Sequence, residues 1–165
     1  ELYDHARYAE AAALLSSWLE SGTGWVENLI GGSQILAYCY YRLGEERKAL
    51  LALLGSLAFD APRAEICCDI GRHFFDRQQY ERAIYWYETA RPRKPDPRSG
   101  AFVLPECYGY LPCIQLCVCY DRLGQADKAA EYNEQAAFWK PDDEAVEANR
   151  LYFRSKGINS VKTNT

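Results

Sequence analysis

The side chains of this 165-residue chain best suited to hold a metal or attack a substrate are its seven cysteines and two histidines. Cys113 and Cys117 are four residues apart, which puts both thiols on one face of a helix. Cys67 and Cys68 are adjacent and point to different sides of any regular element. A zinc site asks for ligand pairs at spacings such as Cys-x2-Cys, and no pair of that kind occurs. The thiols therefore read as small buried hydrophobes, kept reduced in a cytoplasmic setting. Cysteine–histidine catalysis needs a thiolate oriented by its base. His73 stands in an apolar helical pattern and reads as a half-buried core position instead. Gly31-Gly32-Ser33 could open a helix and hold an anion at its N-terminus. No Lys-Ser/Thr pair follows it, so it is not a phosphate loop and reads as a plain helix start. The expectation is a chain with no catalytic residue, no metal and no cofactor.

Composition narrows the classes further. Charged residues make up 25% of the chain and hydrophobic ones 48%, with a net charge of −4. That balance carries no nucleic-acid footprint. No apolar run approaches the roughly 20 residues that cross a bilayer. The polar opening Glu1 to Glu10 does not look like a signal peptide. Methionine is absent throughout, which is expected of a fragment or a processed form.

The elements that must position these residues repeat along the chain. Lys48-Ala49-Leu50 recurs as Arg82-Ala83-Ile84 and, after an insertion, as Lys128-Ala129-Ala130. Arg42-Leu43-Gly44 recurs as Arg122-Leu123-Gly124. Each period reads as helix, tight turn, helix, turn. Gly44 and Gly124 fit the tight turn, where a positive φ costs glycine little; the middle period has Gln78 there. Pro95 and Pro141 stop the second helices. Ala49, Ala83 and Ala129, then Ala90 and Ala136, fall where paired helices approach closely, and a larger side chain there overpacks by about 1–3 kcal/mol.

These residues resemble the tetratricopeptide repeat. The middle period carries Gly71, Phe74, Tyr80, Ala83, Tyr87, Ala90 and Pro95. The last carries Cys117, Tyr120, Gly124, Ala129, Ala136 and Pro141, and the first Ala37, Tyr40, Gly44, Ala49, Leu53 and Ser56. The resemblance implies an all-α, right-handed α-solenoid of antiparallel hairpins. We expect a single domain over 1–165, with repeats at 30–63, 64–97 and 110–143 and a partial unit at 5–20. Asp142-Asp143 should cap a final helix over 144–155, with a frayed tail over 156–165. In the partial unit Tyr8 and Ala11 match Tyr80 and Ala83. Its missing partner helix leaves Leu2, Tyr3 and Leu14 as an exposed flank, through which weak self-association is expected. Leu15, Trp18 and Leu19 should pack on the first full repeat.

The inserted loop, 98–109, follows a stretch in which Pro92, Pro95 and Pro97 preclude a helix. Phe102, Val103, Leu104 and Tyr108 are too apolar for an idle linker. Either the loop folds down over a junction between repeats, or it touches a partner, or both. Gly100 to Gly124 is similar to a stretch of bacterial family-2 glycosyltransferases that carry tetratricopeptide repeats after the catalytic domain. The run Tyr108-Gly109-Tyr110-Leu111-Pro112, then Gln115 to Gly124, carries that similarity. It implies a parent enzyme whose nucleotide-sugar domain lies upstream. Nothing here matches that domain, so no catalytic residue carries over.

In tetratricopeptide repeats the first helices line a groove. The matching positions here are Gln34, Tyr38, Tyr41 and Arg42, then Asp69, Arg72, Phe75 and Asp76, then Gln115, Asp121 and Arg122. Aromatic and arginine side chains are enriched at binding hot spots. The candidate contact set is therefore Tyr38, Tyr41, Arg72, Asp76, Phe102, Tyr108 and Arg122, for a protein or peptide partner. The competing reading is a solvated face whose aromatic stems pack between helices.

Overall fold

A computed structural model describes residues 7–158. Among the described residues eight α-helices carry the fold: α1 (Tyr8–Ser21), α2 (Val26–Arg42), α3 (Glu46–Gly55), α4 (Ala64–Phe75), α5 (Tyr80–Ala90), α6 (Tyr110–Arg122), α7 (Ala126–Trp139) and α8 (Glu144–Ser155). Short 3-10 turns lie at Ser56–Ala58 and Pro105–Tyr108. Among the described residues there is no strand. The chain forms two compact bodies. One runs through Pro62 and takes in Asp96–Phe102; the other holds Arg63–Pro95 and the chain from Val103 onward.

In the first body α1 packs on α2 and α2 on α3. Ala11, Ala12, Leu36 and Cys39 form its centre, with Leu15, Leu19 and Tyr40 packed around them. The helix of Gly31-Gly32-Ser33 begins earlier than the glycines suggest, at Val26. Both glycines lie mid-helix, and at Gly32 Trp18 fills the space a side chain would need. A β-carbon on Gly32 would stand 2.5 Å from Trp18 Cζ3. Glycine inside a helix costs stability; at Gly32 the close approach of an indole offsets that cost.

In the second body α4 pairs with α5, α5 with α6, α6 with α7 and α7 with α8. Here the positions read as small do keep helices close. Ala83, Ala90, Ala129 and Ala136 have no solvent-exposed surface, and Cys117 has almost none. A β-carbon on Gly71 would lie 2.8 Å from Tyr87 Cε1, so glycine there admits the Tyr87 ring. Ala49, in the first body, is sealed in the same way.

The turn inside each hairpin is built alike. Gly44 and Gly124 take φ of 73° and 72°, and Gln78 takes 57°. The amide after each donates back across the turn: Glu45 to Tyr40 O, Gln79 to Phe74 O and Gln125 to Tyr120 O, at 2.8–2.9 Å. A left-handed residue is what this closure needs, and glutamine adopts it against a cost of about 1–2 kcal/mol.

Asp143 caps α8, accepting from Ala145 N at 3.0 Å and Val146 N at 3.2 Å. A hydrogen bond from Tyr110 holds its carboxyl below the usual range. Val146 and Phe153 are buried, whereas Ala145 and Tyr152 of the same helix are exposed. The apolar face of α8 is thus narrower than its spacing suggests. Leu2, Tyr3 and the end of the tail lie outside the described residues.

Candidate functional site

The thiols sit where packing wants them. All seven are free and buried. Burial pushes Cys67 up to about 11, and Cys117 and Cys119 up to about 12. Thiols held that far above neutrality are poor nucleophiles. His73 is buried on α4 with its ring edge-on to Phe74, centroids 5.2 Å apart. Among the described residues no group of three or more His, Cys, Asp or Glu side chains is arranged to hold a metal ion. Ser33 donates to Leu29 O within α2, at 3.0 Å.

The inserted loop is anchored at its far end. Leu104 N–H donates to Glu65 Oε1 at 3.0 Å, and Tyr108 O–H donates to Glu65 Oε2 at 2.7 Å. Burial and that bond raise the Tyr108 phenol above its ordinary pKa. Cys68 Sγ lies 3.9 Å from Cys107 O. Trp139 lies over Gly109, where a β-carbon would be 2.3 Å from its ring. Lys140 pairs with Glu106 and sits over the Tyr110 ring, 4.3 Å from its centroid. Glu65 is only 6% exposed, and it organises this strap. The sequence reading missed it, although it extends the spacing of Asp69, Arg72 and Asp76 back by one turn. Phe102, at the near end of the loop, is fully exposed.

The candidate contact residues fall in both bodies. In the first, Tyr38 is 45% exposed and its ring meets Tyr8 edge-on at 5.9 Å. Arg42 lies over the same Tyr8 ring, 5.4 Å from its centroid. Tyr41 is half-buried. In the second, Arg72 and Asp76 are exposed and form an ion pair at 3.6 Å. Arg122 is exposed, while its neighbour Asp121 accepts from Tyr152 O–H at 3.1 Å and meets Lys156 at 3.7 Å. The far end of α8 therefore occupies one of the first-helix positions of α6.

Each body also has a cleft. A cleft of about 400 Å³ in the first is lined by Ser16, Leu19, Ser33, Leu36, Tyr40, Leu51, Ala52 and Phe59, with Glu20 and Lys48 among its polar residues. One of about 570 Å³ in the second is lined by Glu88, Arg91, Cys113, Glu134, Gln135, Phe138 and Trp139. Arg91 crosses it, bonded to Glu88 at 2.8 Å and Gln135 at 2.7 Å.

No protein-family model matches the chain, and no curated protein matches it closely. Solved structures do. One described as "Crystal structure of MamA" superposes with a TM-score of 0.71 at 20% identity, over 95% of this chain and 83% of that one. "MamA MSR-1 C2" gives 0.60 at 19%, over 94% and 81%. A Podosopora anserina structure described as "kinesin light chain nearly identical TPR-like repeats" gives 0.59 at 17%, over 94% and 82%. At these identities the likeness speaks to fold, and the fold is that of the all-α solenoids built from tetratricopeptide-like hairpins.

Proposed function

We propose that this chain is a non-catalytic interaction module that binds a polypeptide segment of a partner protein through its first-helix faces. The observation that carries the reading is the exposure of hot-spot residue types there. Tyr38 and Arg72 face solvent on α2 and α4, and the thiols are buried, with those of Cys67, Cys117 and Cys119 raised by burial. Phe102, fully exposed, adds an apolar contact. Tyr108 contributes through the strap that it holds to Glu65.

In the finer form of this proposal the module is the C-terminal part of a bacterial glycosyltransferase, recruiting its acceptor or mediating assembly in the cytoplasm. That form rests on the similarity of Gly100 to Gly124 alone. A free-standing adaptor is the second reading. It is compatible with the structural match, which covers 83% of the MamA chain. An upstream nucleotide-sugar domain with a paired-aspartate motif in the full gene product supports the first form; its absence sinks it. Self-association through α1 is also proposed, on the 63% exposure of Leu14; sedimentation of Leu14→Glu against wild type tests it.

The test of the general reading is selection from a displayed peptide library, together with a transfer assay on the purified chain. Enriched peptides that bind and an absence of sugar transfer are expected. No enrichment, or turnover abolished by a point mutation within this chain, overturns the proposal.

A further inference from the structure

The cleft of the first body has a counterpart in the second, built from matching positions of the repeat. In the second body Tyr120 of α6 is flanked by Lys128, 4.0 Å from the ring centroid, and by Tyr132, stacked at 5.3 Å with 5° between planes. The Tyr132 hydroxyl donates to Glu88 and accepts from Arg91 at 3.3 Å. In the first body the position of Tyr120 is held by Tyr40 and that of Lys128 by Lys48, again over the ring at 5.5 Å. The position of Tyr132, however, is Ala52, and the positions of Glu88 and Arg91 are Ser16 and Leu19. The middle repeat also has an aromatic there, Trp86, packed on the core. Only the first repeat lacks the ring.

In the 400 Å³ cleft the missing ring opens the end lined by Tyr40, Leu36, Ala52 and Leu51, whereas the end at Ser33, Gly55 and Phe59 matches the part of the second body's cleft that also stays open, at Cys113, Gln135 and Trp139. The volume of the first body's cleft lies within the range of about 300–1,000 Å³ usual for ligand sites. Ser16 Oγ and Tyr40 Oη lie 3.1 Å apart, so a hydroxyl pair stands where a phenol or indole N–H could bond. Leu51 is 56% exposed, so the cleft opens to solvent along α3. It lies on the other side of α2 from Tyr38 and Tyr41, as the helical period of 3.6 requires.

We propose that this cleft receives one aromatic side chain, a tyrosine or tryptophan, presented by a partner protein. The molecule itself shows the occupant: Tyr132 fills the equivalent place in the second body, stacked on the equivalent tyrosine. Offset stacking and a bonded hydroxyl are what a buried tyrosine seeks. This site is separate from the first-helix faces and stands or falls independently of them.

The probes are p-cresol, 4-methylcyclohexanol and the capped tripeptide Ala-Tyr-Ala, titrated into the isotope-labelled chain. Amide shifts from p-cresol are expected to concentrate at Leu36, Tyr40, Leu51 and Phe59, and to exceed those from 4-methylcyclohexanol. Equal shifts from the two would reduce the site to a plain apolar hollow and overturn the proposal. The tripeptide should shift the same amides; binding of p-cresol without the tripeptide would mean a small-molecule site, and the partner side chain would be wrong. Ala52→Tyr supplies the missing ring from within. It should raise Tm by about 2–4 °C and weaken p-cresol binding at least tenfold. A lower Tm, or unchanged p-cresol binding, contradicts the assignment. Concentration-dependent self-association that Ala52→Tyr abolishes would make a second copy the occupant and also overturn it.

Discussion

Two clefts of one design, both open, differ at one end in this molecule. In the second body the space beside Tyr120 is closed by Tyr132, whose hydroxyl is locked by Glu88 and Arg91. In the first body Ala52 leaves the space beside Tyr40 open, and Ser16 and Leu19 replace the charged lock. The hairpin scaffold is common to both, since Ala49 and Ala129 seal the same crossing. What differs is three side chains around one ring. A repeat thus separates the residues that make it fold from those that decide whether that end of its cleft is filled. The second body fills the Tyr120 end of its cleft, while the end at Cys113, Gln135 and Trp139 stays open, and its strap is anchored on Glu65. The first leaves both ends open.

The largest effect expected from this contrast is at Tyr132. Tyr132→Ala removes a buried, stacked ring and should cost about 3–5 kcal/mol, by analogy with other aromatic-to-alanine changes in cores. Urea unfolding measures it. A cost below 1 kcal/mol would mean that the ring does not fill the Tyr120 end of the second cleft, and the comparison with Ala52 would lose its meaning.

Next in size is the strap. Glu65→Gln keeps the shape but weakens bonds to Leu104 N–H and Tyr108 O–H. A loss of about 1–3 kcal/mol is expected where a buried partner is left poorly satisfied. Amide exchange at Leu104 should quicken more than exchange in α2. Uniform quickening, or none, would show that Glu65 does not hold the strap.

Much of the frame was legible in the sequence. The alanines at helix crossings, the turn glycines and the Asp143 cap are local signals with one physical meaning each, and they lie where the repeat places them. Gln78 was visible as a departure, and its φ of 57° shows that the turn imposes the conformation even on a residue that resists it. The helix start before Gly31 was not legible, because the reason for Gly32 is Trp18, which comes from another helix. Glu65 was missed for a similar reason: its partners Leu104 and Tyr108 lie far along the chain. The open end beside Tyr40 needed both the repeat register and the knowledge that Tyr132 stacks on Tyr120. Spacing alone does not show which side chain fills a space.

The smallest effect concerns that turn. Gln78→Gly removes the left-handed strain, about 1–2 kcal/mol, and restores flexibility to the unfolded chain, which takes back about 0.4–1 kcal/mol. Stability should stay equal or rise by up to about 1 kcal/mol. A clear fall would mean that the Gln78 side chain makes a contact that glycine loses.

The central claim is that the first-helix faces bind a polypeptide and that the buried groups do no chemistry. Calorimetric titration of a library-selected peptide into wild type, Tyr41→Ala and Arg72→Ala, with a melting curve for each, tests it most directly. Each variant should lose about 1–2 kcal/mol of binding, close to tenfold in Kd, with its melting temperature nearly unchanged. If both bind as wild type does, the first-helix faces are not the site; if binding and stability fall together, these side chains belong to the core.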